Sequence, residues 1–407
     1  MTDPASSAAP VSAKERITDM DVLRGFALLG VFIANIVFFN AHVVSTEEQR
    51  AALSTAGIDG WTELLVNLFV NDKANTLFAF LFGLGFYVQM DRLSQRFDNF
   101  VAIYARRLTV LLAFGLFHLA FIWVWEILTL YAVCGFLLLL FRNASDRVVI
   151  LLGLLFGLAG RPIVELGLEL SGLGASLGVD ALYEAPAILV RQALSETGDY
   201  WGLVGNFWDY TLLDWFLTAG VGWIIYALGR FLVGMWVGRK GWIARADDYL
   251  PGFRKVFLIT LPAGLLLQLG AEHTELLGEA PWIEILNSLL HTFATPLIAA
   301  GYVSGIVLAL RTGWGGKVFG LLAPVGKMAL TNYVTQSFII GYVLFGVGPG
   351  LDLMGEIGIT QTTLIAIGGF AGQVVFSHIW LRFFNFGPLE WAWRALTYGT
   401  LPVFRRA

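Results

Sequence analysis

The chain has 407 residues, 57% of them hydrophobic and only 14% charged, with a mean hydropathy of +0.71. A soluble domain carries roughly 25% charged residues, so the composition excludes one and reads as a multi-spanning membrane protein. The net charge of -4 averages two compartments, a lone Cys134 excludes a disulfide framework and thiolate metal clusters, and aromatics dispersed through apolar runs exclude a nucleic-acid surface.

In chain order, apolar runs of spanning length fall at 23–44, 75–92, 105–124, 126–142, 147–168, 211–237, 253–272, 284–310, 327–347 and 360–382. Backbone groups in hydrocarbon must bond within their own segment, and no alternating barrel pattern is present. The expectation is therefore an all-α, polytopic membrane helical bundle of about ten transmembrane helices. Residues 1–16 read as a flexible cytoplasmic tail without a cleavable signal pattern, 17–400 as a single transmembrane domain, and 401–407 as a cytoplasmic tail. Lys14, Arg16 and Arg24 precede the first run, and Arg92, Arg96, Arg106 and Arg107 follow the second. Arg142 and Arg147 follow the fourth, Arg239, Lys240, Arg245, Arg254 and Lys255 the sixth, Arg311 and Lys317 the eighth, and Arg382, Arg394, Arg405 and Arg406 the last. The intervening loops are poor in Lys and Arg, which places both termini in the cytoplasm. Trp61–Val70 and Pro388–Tyr398 are shorter and amphipathic, as interfacial helices are.

Polar residues inside apolar runs are the candidates for chemistry. Asp21 and Arg24 stand at the mouth of the first span, and Asn35 lies about 16 Å deeper at 1.5 Å rise per residue. His118 lies about as far from Arg107 along the third span. An imidazole there can accept a proton from a hydroxyl or amine, with Glu126 as its orienting acid. The bland reading is a neutral, hydrogen-bonded histidine and a solvated acid. His42, His273, His291 and His378 are weaker, the last two for lack of an acidic neighbour in sequence, and the five histidines show no metal-ligand spacing. Lys73 and Asn75 open the second span and are cavity candidates or interfacial caps. Arg24, Arg106, Arg107, Arg230 and Lys327 share a cytoplasmic depth at which they would hold a phosphate-bearing donor. Asn332, Glu390 and Arg394 complete the polar candidates. Arg161 and Glu165, four apart on one helix face, read as a structural ion pair.

Six strings in order, RITDMDVLRGFALLGVFIANI, NTLFAFLFGLGF, RRLTVLLAFGLFHLAFIWVWEILTLYAVCGFLLL, LGRFLVGMWVGR, PVGKMALTNYVTQS and FNFGPLEWAWRALTYG, resemble the YeiB-like inner-membrane proteins, a group named as a domain of unknown function. That group is similar in plan to the transmembrane acyltransferases, of heparan-glucosaminide N-acetyltransferase and polysaccharide O-acetyltransferase type. The resemblance implies a bacterial inner membrane, and an acyl group, such as acetyl, moved from cytoplasmic acyl-CoA to a glycan, lipid or small-molecule acceptor in or across that membrane. Arg24 matches the first-helix arginine of those enzymes. Their histidine lies in some relatives in or just after the first helix, where this chain carries Asn35 and His42. The alternative is a transporter or channel whose polar residues line a solute path.

The topology makes a direct prediction. A phosphatase fused after residue 406 is expected to be silent and a cytoplasmic reporter there active, whereas an active phosphatase would invert the assignment.

Overall fold

The computed structural model describes residues 17–124, 126–178, 180–213, 220–278 and 280–406. The tail 1–16, with Lys14 and Arg16, and Trp125 lie outside the described residues, as do the side chains of the expected Arg161–Glu165 pair. Among the described residues the chain is helical, with no strand longer than the isolated Phe384–Arg405 bridge. The helices are α1 (Thr18–Phe38, continued by a π-helical turn Phe39–Val43), α2 (Glu47–Ala52), α3 (Ala56–Phe69), α4 (Lys73–Ser94), α5 (Phe100–Phe121) and α6 (Leu128–Leu140). There follow α7 (Asp146–Ser171), α8 (Leu173–Leu177), α9 (Ala185–Glu196), α10 (Tyr200–Tyr210), α11 (Gly220–Lys240) and α12 (Leu250–Ala271). The chain closes with α13 (Pro281–Ala309), α14 (Gly313–Gly320), α15 (Ala323–Lys327), α16 (Ala329–Leu344), α17 (Ile359–Phe383) and α18 (Pro388–Tyr398).

Among the described residues, 6 helices are long and apolar enough to cross a membrane: Thr18–Val43, Phe100–Phe121, Gly220–Lys240, Ala246–Ala271, Trp282–Ala309 and Ile359–Phe383. Asp146–Gly160 and Pro162–Leu168 together are long and apolar enough as well, bent by 47° between them, where Pro162 lacks an N–H and its ring crowds the preceding turn. The membrane bundle is thus present, with fewer such spans than the ten apolar runs suggest. The other three runs do form helices. Of these, α4 carries Lys73, Asp91 and Arg92, while α6 and α16 have 13 and 16 residues, about 20 and 24 Å at 1.5 Å per residue, too short for about 30 Å of hydrocarbon.

The basic loops gather at one end of the bundle. There Arg239 donates to Ala144 O (2.6 Å) and Asp146 Oδ1 (3.1 Å), Lys240 pairs with Asp146 (2.8 Å), and Arg311 joins Asp19 to Asp247. At the other end the π-turn region is clamped from α9, Arg191 donating to Val43 O (2.9 Å) and Gln192 to Val44 O (2.8 Å), while Asn40 reaches Ile357 O (2.7 Å). The expected interfacial segments are α3, whose Ile58, Trp61, Leu65 and Phe69 form an exposed apolar stripe, and α18. Residues 401–406 fold back: Asn385 N donates to Phe404 O (2.8 Å), Arg406 N to Phe383 O (2.8 Å) and Trp391 Nε1 to Pro402 O (2.8 Å).

Small residues set the helix contacts, since in lipid association depends on close packing. Gly83 abuts the Phe231 backbone, Gly234 the Phe80 backbone and Gly238 the Tyr87 side chain, which packs α4 closely against α11 with the two helices parallel. Gly25 meets the Leu322 carbonyl, and Gly326 meets the Asp21 carbonyl and Gly25 N, so α1 and α15 touch backbone to backbone. That contact sets Lys327 next to the turn of α1 that carries Arg24. In Gly326→Ala the added methyl lands on the Asp21 carbonyl, which cannot yield. Such overpacking is worth about 1–3 kcal/mol, read as a lowered melting temperature of the detergent-solubilised protein; an unchanged transition would refute this contact.

Candidate functional site

Four cations meet at the basic end. Arg24 of α1, Arg107 of α5, Lys327 of α15 and Arg394 of α18 line a cavity of about 170 Å³, together with Tyr104, Tyr131, Tyr333 and the carboxylate Glu390. Arg24 is held by Asp21, Nη1 to Oδ1 3.2 Å, and Asp21 is only 1% exposed. Across the cavity Gly85 leaves room for the guanidinium, because a Cβ there would lie 2.7 Å from Arg24 Nη2. Arg107 lies over the Trp393 ring, 3.6 Å from its centroid, and Trp393 Nε1 donates to Arg107 O at 2.9 Å. Arg394 sits over Phe386 at 4.7 Å.

Glu390 accepts from Leu330 N (2.6 Å), Thr331 N (3.1 Å) and Thr331 Oγ1 (2.6 Å), so its charge serves the N-terminus of α16. Burial pushes its carboxyl above the ordinary value, partly offset by the bonds from Thr331. Guanidinium and ammonium groups in this number suit phosphate oxygens. Taking about 30 Å³ per water, the cavity of about 170 Å³ holds some six. Sites that enclose a whole small molecule span roughly 300–1,000 Å³, so this cavity has room for only part of such a molecule.

Tyr131, packed against Phe78, Phe82 and Phe231, separates this cavity from a deeper pocket of about 70 Å³ lined by Asn35, Asn75, Trp223, Tyr226 and Arg230. Asn75 Oδ1 is buried there without a hydrogen-bond partner. Asn35 and Asn75 are thus brought together, whereas Lys73 is elsewhere. Arg230 belongs to this deeper level, donating to Thr76 Oγ1 (2.9 Å), Gly157 O (3.0 Å) and Tyr226 O (3.1 Å). Arg106 is exposed and outside the cavity, since neighbours on a helix with 3.6 residues per turn point about 100° apart. Asn332 is 1% exposed and donates to Val325 O (3.2 Å) and Ser377 Oγ (3.0 Å).

His118 is 1% exposed, with Nε2 3.0 Å from Ser337 Oγ and Nδ1 without a partner. Its ring stands 5.5 Å from that of Tyr333, which faces the basic cavity. Glu126 does not orient it. The Glu126 carboxylate accepts from Leu128 N and from Thr129 N (2.7 Å), capping the buried start of α6. A half-length helix beginning inside the bundle leaves amide donors that only a nearby acceptor can satisfy, and Glu126 is that acceptor.

The opposite end holds a cluster that sequence order conceals. Lys73, fully buried, donates to Asn67 O (2.6 Å) and Gln268 Oε1 (2.8 Å). Gln268 Nε2 lies 2.7 Å from Glu272 Oε1 and 3.1 Å from His291 Nδ1, and His291 Nε2 lies 3.0 Å from Asp72 Oδ2. Because Lys73 can only donate, Gln268 must turn its oxygen to Lys73 and its NH₂ to Glu272 and His291. His291 Nδ1 is therefore the acceptor, and the ring proton sits on Nε2, facing Asp72. The acid lacking beside His291 in sequence arrives from 219 residues away. The one local signal was Asp72 itself, a non-glycine residue at φ 60° before α4. His42 is exposed at this end, His273 Nδ1 lies 2.9 Å from Leu269 O, and His378 Nε2 3.0 Å from Leu321 O. Among the described residues no group of His, Cys, Asp and Glu is placed to hold a metal ion.

Residues 237–400 match the model of a family described as a protein of unknown function, DUF418. Along nearly its whole length the chain is similar to the uncharacterized protein YxaH of Bacillus subtilis (strain 168), 29% identical over 417 residues, 97% of each chain. It is also similar to the uncharacterized 39.9 kDa protein in the amylase 3' region of Bacillus acidopullulyticus, 28% identical over 392 residues and 96% of each chain. The uncharacterized protein YeiB of Escherichia coli (strain K12) is 28% identical over 398 residues, 94% of this chain and 96% of the relative.

The Lys73 circuit predicts coupling between its members. Gln268→Leu strips an acceptor from a buried ammonium and a donor from Glu272, a loss of about 1–3 kcal/mol or more. Adding Lys73→Met removes the stranded charge and is expected to restore part of that stability. Melting temperatures of the two single variants and the double variant close the cycle, and strictly additive losses would show that the contact is not made.

Proposed function

The chain belongs to the YeiB-like family of membrane proteins, and on that footing we propose that it is an inner-membrane acyltransferase whose cytoplasmic basic cavity receives the phosphate-bearing end of an acyl-CoA donor. The observation that carries this reading is the convergence of Arg24, Arg107, Lys327 and Arg394 on one small cavity with tyrosine walls. The acyl group passes to a hydroxyl or amine acceptor: the acceptor oxygen or nitrogen bonds to the thioester carbonyl carbon, the acceptor proton is taken up by a base, and the C–S bond breaks with its electron pair leaving on the sulfur of coenzyme A, which departs as the thiol once that proton is passed on. His118, with its unpartnered Nδ1 behind Tyr333, is the base in this reading. Glu126 holds the start of α6 in place.

A second reading rests on α6 and α16, which are too short to span and are capped by Glu126 and Glu390 at ends beside the cavity. Broken helices that end within the membrane mark the sites of many transporters, and here the four cations of the cavity would hold an anionic solute.

Calorimetry with acetyl-CoA on the purified full chain separates these readings. A charge-assisted bond to phosphate is worth about 1.5–3 kcal/mol, so Arg24→Ala is expected to weaken binding roughly tenfold or more; equal affinity in a folded variant would remove the donor site. His118→Ala is expected to keep donor binding and to lower acyl transfer by about 10²–10⁴-fold. Transfer that persists in this variant would dismiss His118 as the base. Solute uptake by proteoliposomes lacking any acyl donor would favour the transporter.

A further inference from the structure

An apolar cavity of about 480 Å³ lies between α4, α7, α11, α12 and α13, outside the basic cavity. Its inner end is marked by Arg230, Thr76, Gly157 and Pro296, and its rim by Trp242, Tyr249 and Gly252. From Arg230 to Lys240, where α11 ends, is about 15 Å along the helix, close to the depth of one leaflet of a bilayer with about 30 Å of hydrocarbon. Trp242 and Tyr249 stand where aromatic residues mark the headgroup level. Beside the cavity α12 exposes Val256, Leu258 and Ile259, so hydrocarbon bathes its mouth, and beyond Gly252 a side chain would meet only open space.

The rim is basic. Arg245 lies against the rim, its Nη2 3.3 Å from Tyr249 Oη, and Arg254 and Lys255 are exposed on the first turns of α12, at the level of the lining residues Gly252, Phe253 and Val256. Of the two exposed carboxylates nearby, Asp247 is engaged by Arg311 (2.9 Å) and Asp248 offsets part of the charge.

We propose that this cavity binds one acyl chain of an anionic phospholipid of the cytoplasmic leaflet, with the lipid phosphate over Arg245, Arg254 and Lys255. The walls exclude a polar solute. A lipid chain gains little from leaving one hydrocarbon phase for another, so cavity shape sets where the chain lies and the basic rim sets which lipid stays. Clusters of Lys and Arg at the cytoplasmic interface select anionic headgroups in this way. The site is independent of the acyl-transfer reading, because it shares no rim residue with the donor cavity.

Native mass spectrometry of the full chain in detergent tests it, using phosphatidylglycerol and phosphatidylcholine with identical chains. The wild type is expected to retain phosphatidylglycerol about tenfold or more above phosphatidylcholine, and Arg254→Ser with Lys255→Ser to erase that preference. Gly157→Leu fills the inner end, where a Cβ would meet nothing nearer than Arg230 Nη1 at 3.8 Å; Ala300→Phe fills the cavity from α13. Both are expected to lose bound lipid while keeping a wild-type melting curve. Equal retention of the two lipids by the wild type would overturn the headgroup assignment, and unchanged adducts in both filled variants would overturn the site.

Discussion

Hydrocarbon offers a polar group no partner, so every charge within this bundle must be provided for by the protein itself. The two ends do so differently. At the end bearing Lys73 the provision is internal: Gln268 takes the ammonium on its oxygen and gives its two protons to Glu272 and His291, and His291 faces Asp72. A circuit that uses its donors and acceptors on itself fixes helices. At the basic end the cations are stacked on aromatic rings, Arg107 on Trp393 and Arg394 on Phe386.

The same constraint acts on the backbone. Because α6 begins inside the bundle, its first amides must find an acceptor there, and Glu126 is committed to Leu128 and Thr129. Glu390 does the equivalent for α16 from a different helix. Each carboxylate is a structural requirement of a short helix before it is anything else. This is why an acid a few residues from a histidine is weak grounds for a catalytic pair: proximity along the chain ignores the amides that compete for the same oxygens.

Much of the fold was legible in the sequence, because apolar run length and the Lys/Arg bias of loops report directly on what a bilayer permits. The ten runs all become helices among the described residues, and Trp61–Val70 and Pro388–Tyr398 fall within α3 and α18. Length was misread where apolarity did not end with the helix. The run 126–142 is about five turns long at 3.6 residues per turn, yet α6 occupies only Leu128–Leu140, since the segment before it is buried against protein instead of lipid. At the site, Arg24, Arg107, Lys327 and Arg394 converge on one cavity, while depth alone could not separate Arg107 from Arg106 or lift Arg230 out of the group. The Asp72–His291 contact was beyond reach, since nothing local links residues 219 apart.

One helix borders the basic cavity, the small polar pocket and the apolar cavity alike. Phe78, Phe82 and Gly85 of α4 face the basic cavity, Asn75 and Ala79 the small polar pocket, and Thr76, Leu77 and Phe80 the apolar cavity. Its first residue is Lys73, anchored in the circuit at the opposite end, and its glycines press on α11 and make room for Arg24. A rigid helix transmits displacement along its axis, so a change at the Lys73 circuit that lets α4 shift would move the Arg24 wall, the Asn75 pocket and the Thr76 wall together. The Lys73 circuit therefore anchors the first turn of the helix that walls these cavities.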